Sequence, residues 1–244
     1  MKFIILLVCS AISYAAIAQN SQSLSTFNKI TISPKIEVEL VKGESESITW
    51  EVFNVDDAKV HIEVKSNRLA IFLEDARIAT RYKKEKYGFK YPMYSEDVLV
   101  KAKITYVDLK KIEVRGEERL TILSDLENDK KLVLKAYGTS KIRMEGVNTN
   151  KLKTVLIGEN ELEIKSGAAN NQKIKTIGEN SIVSNNFDVV RTKANAIGEN
   201  NLNLSISGLL QLWAIGASDT QINGNPSLHK GLVIGENDIR IRKN

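Results

Sequence analysis

The stretch that decides the fold is Ile157-Gly158-Glu159-Asn160, because the same four letters begin again at Ile177, Ile197 and Ile234. Degenerate copies extend the set of aligned glycines to Gly116, Gly138, Gly158, Gly178, Gly198, Gly216 and Gly235. The spacing between successive glycines stays close to twenty at every step. Such a constant period, with no helical spacing inside it, predicts a β-solenoid.

Alignment of the repeats on their glycine separates the side chains by face. The positions four and six residues after the glycine are mostly apolar, as at Leu162 and Ile164, whereas the positions between them are mostly polar, as at Glu161 and Glu163. This period of two is typical of a strand with one buried face. Each repeat is therefore expected to add one rung of parallel strand to its neighbours.

The glycine itself is predicted to turn a sharp corner between two short strands, where a positive φ is needed and a side chain has no room. The residue two positions later should face inward, which stacks Asn160, Asn180 and Asn200 into an amide ladder. The isoleucine before each glycine is expected to build a core stack; its members are Ile157, Ile177, Ile197, Ile215 and Ile234.

A column of glutamates follows the glycines and is predicted to face solvent: Glu159, Glu179, Glu199 and Glu236. Like charges at rung spacing repel, so the column is either a solvated acidic ridge or a set of carboxylates that share a cation. The cation hypothesis concerns Glu159, Glu179 and Glu199. A lysine column five residues before the glycine, Lys153, Lys173, Lys193 and Lys230, is expected to help neutralise the acids.

The chain before the repeats also alternates with a period of two. Residues 36–40 and 48–52 flank a turn at Gly43 and are predicted to pair as a hairpin, and strands at 60–64 and 69–73 flank a second turn. The fold class is therefore all-β, with an antiparallel region at 27–108 that continues into β-helical coils of about 20 residues at 109–244. Together they are expected to form one domain, residues 27–244.

Residues 75–97 interrupt this rhythm with lysines interleaved among aromatic residues, which predicts a protruding loop. Charge and aromatic faces together suit contact with an anionic glycan, a lipid headgroup or a partner protein, although a solvated hairpin has the same composition. The candidate contact residues are Arg81, Tyr82, Lys83, Lys84, Lys86, Tyr87, Phe89, Lys90, Tyr91 and Tyr94.

The segment from Met1 to Ala18 resembles a secretory signal peptide, with Lys2 before an apolar run that ends at Ala18. Residues 19–26 are polar and are predicted to be a flexible tether. Cys9, the only cysteine, lies within the signal segment, where its early position argues against lipidation. The mature protein is thus expected to be exported to the periplasm, outer surface or extracellular space, without disulfides and without a transmembrane segment.

The sequence contains no constellation typical of catalysis, of a cofactor or of a nucleic-acid partner. Cleavage after Ala18 would leave 34 basic and 30 acidic residues, a mild net charge of +4. No nucleophile elbow or phosphate-binding glycine loop is present, and the repeated glycines are not followed by helices. No enzyme, no cofactor and no metal are therefore predicted. A secreted carbohydrate-active β-helix enzyme and a purely structural envelope scaffold remain the alternatives.

Several segments resemble the putative auto-transporter adhesin, head GIN domain family of exported bacterial proteins: residues 27–32, the turn around Gly43, residues 69–71, residues 104–116 and the glycine coils that follow. The resemblance covers nearly all of the mature chain. It implies an all-β domain with β-helix-like coils, a cell-envelope or surface location and an adhesin role. It implies no catalytic residues. The chain is accordingly predicted to be a non-enzymatic envelope or surface protein that binds glycans or partner proteins, with the basic aromatic loop as the better contact candidate. The repeated Gly-Glu-Asn corner and the basic aromatic loop depart from the family pattern.

Overall fold

The computed structural model describes residues 20–84, 90–94 and 98–242. The expected signal peptide, including Cys9, lies outside the described residues. The strands in the first part of the chain are β1 (Asn20–Ser23), β2 (Lys29–Ile32), β3 (Ile36–Lys42), β4 (Ser47–Val52), β5 (Val60–Lys65), β6 (Arg68–Leu73), β7 (Tyr82–Lys84), β8 (Lys90–Pro92) and β9 (Val100–Tyr106). A short 3-10 turn, Asp57–Lys59, precedes β5.

The strands of the repeat region are β10 (Lys111–Gly116), β11 (Arg119–Ile122), β12 (Leu126–Asn128), β13 (Leu132–Gly138), β14 (Lys141–Met144), β15 (Val147–Ile164), β16 (Gly167–Asn223), β17 (Ser227–Ile234) and β18 (Asn237–Arg242). The great length of β15 and β16 reflects strand pairing that continues through the corners of successive coils. In the described part of the chain, no helix is long and apolar enough to cross a membrane.

Each coil has three sides, as the pairing of single rungs shows. On the first side, which leads up to the corner glycine, β10, β13 and β15 pair in parallel. On the second side, just after the glycine, β11, β14 and β15 do the same. On the third side β12 pairs with the start of β15, which in turn pairs with the start of β16. The result is a β-solenoid of about seven turns with a repeat of about 20 residues, as the sequence predicts.

The core fills the inside of the coils and follows the predicted inward columns. Leu162 and Ile164 of β15 are buried, and so are the equivalent residues of five neighbouring coils, including Met144 and Leu204. In the last coil Ile239 is only partly buried and Ile241 is 39% exposed. The hydrophobic core therefore runs along the whole axis and opens only at its last rung.

The corner glycines have the geometry that the repeat demands. All seven adopt φ between +96° and +120°, a region that side chains disfavour. A Cβ atom on Gly178 would collide with the backbone carbonyl of Gly158, the corner directly beneath it. Any residue other than glycine is thus disfavoured at these corners for two independent reasons, the positive φ and the lack of space for a Cβ atom.

The N-terminal strands are antiparallel at the outer end of the solenoid and parallel where they meet the coils. The strands β5 and β6 form the expected antiparallel hairpin, and β4 pairs antiparallel with both β1 and β9. In contrast, β2 pairs in parallel with β10, and β3 pairs in parallel with β11. The antiparallel strands therefore cap a solenoid whose parallel pairing already begins at β2 and β3.

Two local predictions for this region are wrong. The strands β3 and β4 do not form a hairpin with each other, because β9 lies between them, parallel to β3 and antiparallel to β4. Residues 20–23 are not a flexible tether, since they form β1, whose register places Asn20 opposite Trp50. In both cases the pairing partner lies far away in the sequence, where local alternation gives no signal.

The isoleucine column does not build the core, which corrects the prediction from the repeat. Ile157 and Ile177 are half-buried, whereas Ile197, Ile215 and Ile234 are 42%, 42% and 53% exposed. Alternation continues unbroken through the corner, so the residues two before and two after the glycine point inward and the residue one before it points outward. The isoleucines form a ridge along the outer edge of the first side.

Candidate binding surfaces

The inner side of the corner carries a ladder of polar side chains. Asn160 and Asn180 are 1% and 3% exposed, and the Nδ2 of Asn160 donates a hydrogen bond of 3.0 Å to the Oδ1 of Asn180. The same oxygen accepts the backbone N–H of Asn160 at 3.3 Å, and the Oδ1 of Asn160 accepts the backbone N–H of Ser140 at 3.1 Å. The predicted amide ladder is therefore present over these rungs, where it satisfies buried backbone and side-chain donors.

The ladder stops between Asn180 and Asn200, since the Nδ2 of Asn180 donates to the carbonyl of Ile177 and the Oδ1 of Asn200 accepts no hydrogen bond from a described residue. Both amide atoms of Asn200 are buried and have no hydrogen-bond partner among the described residues, and the hydroxyl of Ser218 on the next rung is in the same situation. Serine has a short hydroxyl side chain and no amide. Ser218 therefore offers Asn200 no amide partner on the next rung. The coil from Gly198 to Gly216, which holds Asn200 and ends at the rung of Ser218, is also the shortest of the set.

The first member of this inner column is an acid that sequence reasoning did not identify. Glu118 is 5% exposed at the position that Ser140 occupies one coil later, and its Oε2 accepts the backbone N–H of Glu117 at 2.9 Å. Its Oε1 is buried without a partner among the described residues. Burial raises the pKa of the Glu118 carboxyl, against the lowering effect of the backbone N–H groups around it, among them that of Lys35. Its alignment with the column of Asn160 was the signal that could have found it.

The glutamate column lies on the outer side of the same corner, and all four of its members are exposed: Glu159, Glu179, Glu199 and Glu236. They line an open groove of about 930 Å³ whose floor includes the inner asparagines. Glu159 pairs in register with Glu179, so the carboxylates follow one another at rung spacing. Within residues 20–84, 90–94 and 98–242, no three acidic, histidine or cysteine side chains converge in a way that could hold a metal ion.

The predicted contact loop forms a small sheet of its own. The strands β7 and β8 pair antiparallel, with Tyr82 opposite Pro92 and Lys83 opposite Tyr91, and they do not pair with the main sheet. Tyr82 and Tyr91 are 65% and 52% exposed, and Lys83 and Lys90 are exposed beside them. This contact hairpin leaves the solenoid between β6 and β9, on the side of the glycine corners.

Two residues at the base of the contact hairpin bind the segment that follows β6: Tyr94 is buried, whereas Arg81 stays exposed. Tyr94 is buried, and its hydroxyl donates a hydrogen bond of 2.7 Å to the carbonyl of Glu74. Arg81 forms an ion pair of 3.0 Å with Asp75. Burial raises the pKa of the Tyr94 phenol, as do the nearby charges of Asp75 and Glu74. Of the other predicted contact residues, Lys86, Tyr87, Phe89 and the side chain of Lys84 lie outside the described residues.

The first side of the solenoid is strongly basic over four successive coils. Its outward side chains in segments 131–137, 151–157, 171–177 and 191–197, here called the basic face, contain eight cations and no acid: Lys131, Lys135, Lys151, Lys153, Lys173, Lys175, Arg191 and Lys193. The whole chain carries +5, so the remaining sequence sums to −3. None of the eight cations forms an ion pair with a described acidic residue.

The lysine column therefore does not neutralise the glutamates, contrary to the sequence-based expectation. The corner places the two columns on different sides of the coil, and Lys153 and Lys173 lie next to each other in register. The pKa of Lys153 is lowered, first by its partial desolvation and then by the positive charges of Lys131, Lys173, Lys135 and Lys151. The columns of lysine and arginine can be seen in the sequence. That they lie together on one face follows only from the arrangement of the three sides of the coil.

The fold and its surfaces define a class of protein, an all-β solenoid that carries its candidate functional side chains on its outer faces. The chain belongs to the family described as putative auto-transporter adhesin, head GIN domain, whose profile matches residues 26–226. This finding confirms the resemblance seen in the sequence. No curated protein matches the chain.

Solved structures of similar fold come from Bacteroides and Parabacteroides species. A putative adhesin from Bacteroides fragilis is 17% identical, with a TM-score of 0.72 over 94% of this chain and 98% of that one. A putative adhesin from Parabacteroides merdae is 15% identical, with a TM-score of 0.67 over 93% and 96%. A putative lipid binding protein from Parabacteroides distasonis is 14% identical, with a TM-score of 0.61 over 93% and 96%. At these identities the likeness shows the fold alone.

Proposed function

We propose that the protein is a non-enzymatic adhesin of the cell envelope or cell surface, exported by its signal peptide, that attaches to glycans or partner proteins through the contact hairpin. The observation that carries this proposal is the exposure of Tyr82 and Tyr91 on a two-stranded sheet that does not pair with the main sheet. Exposed tyrosines next to Lys83 and Lys90 offer apolar faces and hydrogen-bond donors in one place. Family membership and the names of two solved relatives support the same reading.

The test is a variant that removes the exposed side chains of β7 and β8 and keeps the residues that anchor these strands. Tyr82→Ala, Lys83→Ala, Lys90→Ala and Tyr91→Ala are combined, while Tyr94 and its hydrogen bond to Glu74 remain. Retention of the purified protein on whole cells and on isolated envelope polysaccharide is measured, and we expect at least a tenfold loss.

The matched control replaces Lys101 and Lys103, exposed cations of β9 on the second side, with alanine. It should bind like the unchanged protein. Full retention of the hairpin variant would remove the contact hairpin from the proposal, and turnover of acidic polysaccharides by the purified protein would favour the carbohydrate-active enzyme instead.

A further inference from the structure

The basic face continues into an exposed apolar area at its C-terminal end. Here called the apolar end, it consists of the half-buried Trp213 and of four exposed residues, Ile197, Ile215, Leu232 and Ile234. Leu232 and Ile234 are 55% and 53% exposed. Ile197, Trp213 and Leu232 line an open depression of about 410 Å³ that is almost free of polar surface. A contiguous exposed patch of this kind on a folded protein marks an interaction surface.

Lysines border the apolar end directly. The Nζ of Lys193 lies 4.5 Å from the centroid of the Trp213 ring, and Lys175 lines the same depression. The indole also packs against Gly231, where a Cβ atom would collide with the ring. Gly231 thus leaves room for the indole, and the ammonium of Lys193 contacts its ring. Cationic and apolar groups thus share one continuous surface.

We propose that this surface, the basic face with the apolar end, docks the protein onto an anionic lipid membrane. The cations of the basic face would contact lipid phosphates, and each lysine near such a surface strengthens binding by roughly fivefold. The apolar end would enter the headgroup region, where tryptophan and aliphatic side chains are favoured. Long lysine side chains keep their charge at the phosphates while their methylene stems cover apolar surface.

Other kinds of partner would contact only part of this surface. A soluble acidic polymer would match the cations, but it would leave Ile215, Leu232 and Ile234 exposed to water. The ring of Trp213 is also poorly placed to stack on a sugar, since Lys193 lies over it. A second copy of the chain would bring eight cations against eight cations if the two basic faces met. The anionic lipid surface is the partner that uses both the charge and the apolar end.

The test measures co-sedimentation of the purified protein with vesicles of phosphatidylcholine alone and of phosphatidylcholine mixed two to one with phosphatidylglycerol. We expect binding to the anionic vesicles only, and weaker binding as the salt concentration rises. Lys173→Glu with Lys193→Glu should weaken it roughly 25-fold or more, because two attractions are lost and two repulsions gained. Leu232→Ser with Ile234→Ser should also weaken it at unchanged charge, which separates a lipid surface from a purely ionic partner.

The matched control is Lys101→Glu with Lys103→Glu, the same charge change on the second side, where the register places Glu37 and Glu39 beside these lysines. It should retain most of the binding. A second readout uses Trp50→Phe, which leaves Trp213 as the single tryptophan and should give a blue shift of its emission on anionic vesicles.

Three outcomes would overturn the inference: no binding to anionic vesicles, equal binding to neutral vesicles, or an equal loss in the control. A protein that binds dextran sulfate but no vesicles, and whose binding is unchanged by the two serine substitutions, would have a different ligand. The basic face would then be assigned to a soluble polyanion. The contact hairpin is unchanged in all of these variants, so failure here leaves the proposed adhesin function to its own test.

Discussion

Asn160 and Asn180, 20 residues apart in the chain, are joined by two hydrogen bonds to one oxygen: the Oδ1 of Asn180 accepts both the Nδ2 and the backbone N–H of Asn160. The Nδ2 of Asn180 in turn donates to the carbonyl of Ile177 at 3.2 Å. Asn180 thus satisfies the donors of Asn160 on the rung before it, and its own Nδ2 is satisfied within its own coil.

Removal of one asparagine side chain from the ladder is expected to destabilise the protein. Asn180→Ala leaves two buried donors of Asn160 without an acceptor, so we expect a loss of about 2–4 kcal/mol in the free energy of unfolding. Asn170→Ala is the matched control, because Asn170 makes the same amide contact of 3.1 Å with Asn150 in an exposed position. It should cost less than about 0.5 kcal/mol. Urea denaturation followed by circular dichroism measures both, and equal effects would contradict the role of the buried ladder.

The break in the ladder predicts a stabilising substitution. Ser218→Asn places an amide next to Asn200, whose two amide atoms are buried without partners among the described residues. We expect a gain of about 1 kcal/mol, the usual net value of a buried hydrogen bond. Ser181→Asn, at a partly exposed position near the same corners, serves as the control and should change little. A lower Tm for Ser218→Asn would show that the shorter coil has no room for the amide.

The corner glycines should not tolerate even the smallest side chain. Gly178→Ala introduces a Cβ at φ of +102° and drives it into the carbonyl of Gly158. A destabilisation on the order of 3 kcal/mol or more follows from the backbone strain and the overlap together. Glu179→Ala, one residue further and exposed, should stay within about 0.5 kcal/mol. Thermal unfolding distinguishes them, and a Gly178→Ala protein as stable as the Glu179→Ala protein would contradict the geometry of the corner.

Glu118 should make stability fall as the pH rises. Its pKa is raised on folding above the ordinary value of 4.5, so the folded chain binds the proton more tightly than the unfolded chain does. At low pH both states are protonated and no penalty exists; the penalty develops as the pH rises above 4.5. Glu118→Gln should therefore raise the Tm by roughly 2–4 °C at pH 7.5 and leave it unchanged at pH 3.5.

The exposed neighbour Glu117 provides the control for this pH dependence. Glu117→Gln changes the net charge by the same amount, but its carboxylate is more accessible to solvent. Its Tm should follow that of the unchanged protein at both pH values. An equal gain in the two variants at the higher pH would assign the effect to net charge and not to the buried carboxyl.

The solenoid could be predicted from the sequence because its contacts repeat at a constant separation. Every corner glycine after Gly116 meets the glycine of the previous coil, and an inward residue such as Leu162 meets its counterpart in the next coil. Aligning the repeats with one another therefore predicts which residues pair. The β3–β4 hairpin was predicted wrongly because the true neighbour of both strands, β9, follows only after several further strands. Alternation shows that a segment is a strand, and it does not show its partner.

The surfaces were harder to predict for the same reason. The isoleucine column was assigned to the core from its chemistry, although an outward position is set by the alternation that passes through Gly158 and its equivalents. Tyr94 looked like one more exposed aromatic residue, and only the distant carbonyl of Glu74 explains its burial. The basic face required knowledge of which columns share a side. Local pattern predicts orientation well, whereas the joint environment of distant residues needs the three-dimensional arrangement.

The corner glycines also bear on how the molecule can be built. Because the corner of each coil rests on the coil before it, a new coil needs only its predecessor as a template, and nearly all of its new contacts form with the preceding repeat. The strands β2 and β3, which pair in parallel with β10 and β11, supply the first template. Assembly can then proceed from the N-terminus in the order in which the chain is made, one rung at a time, without waiting for the last coil.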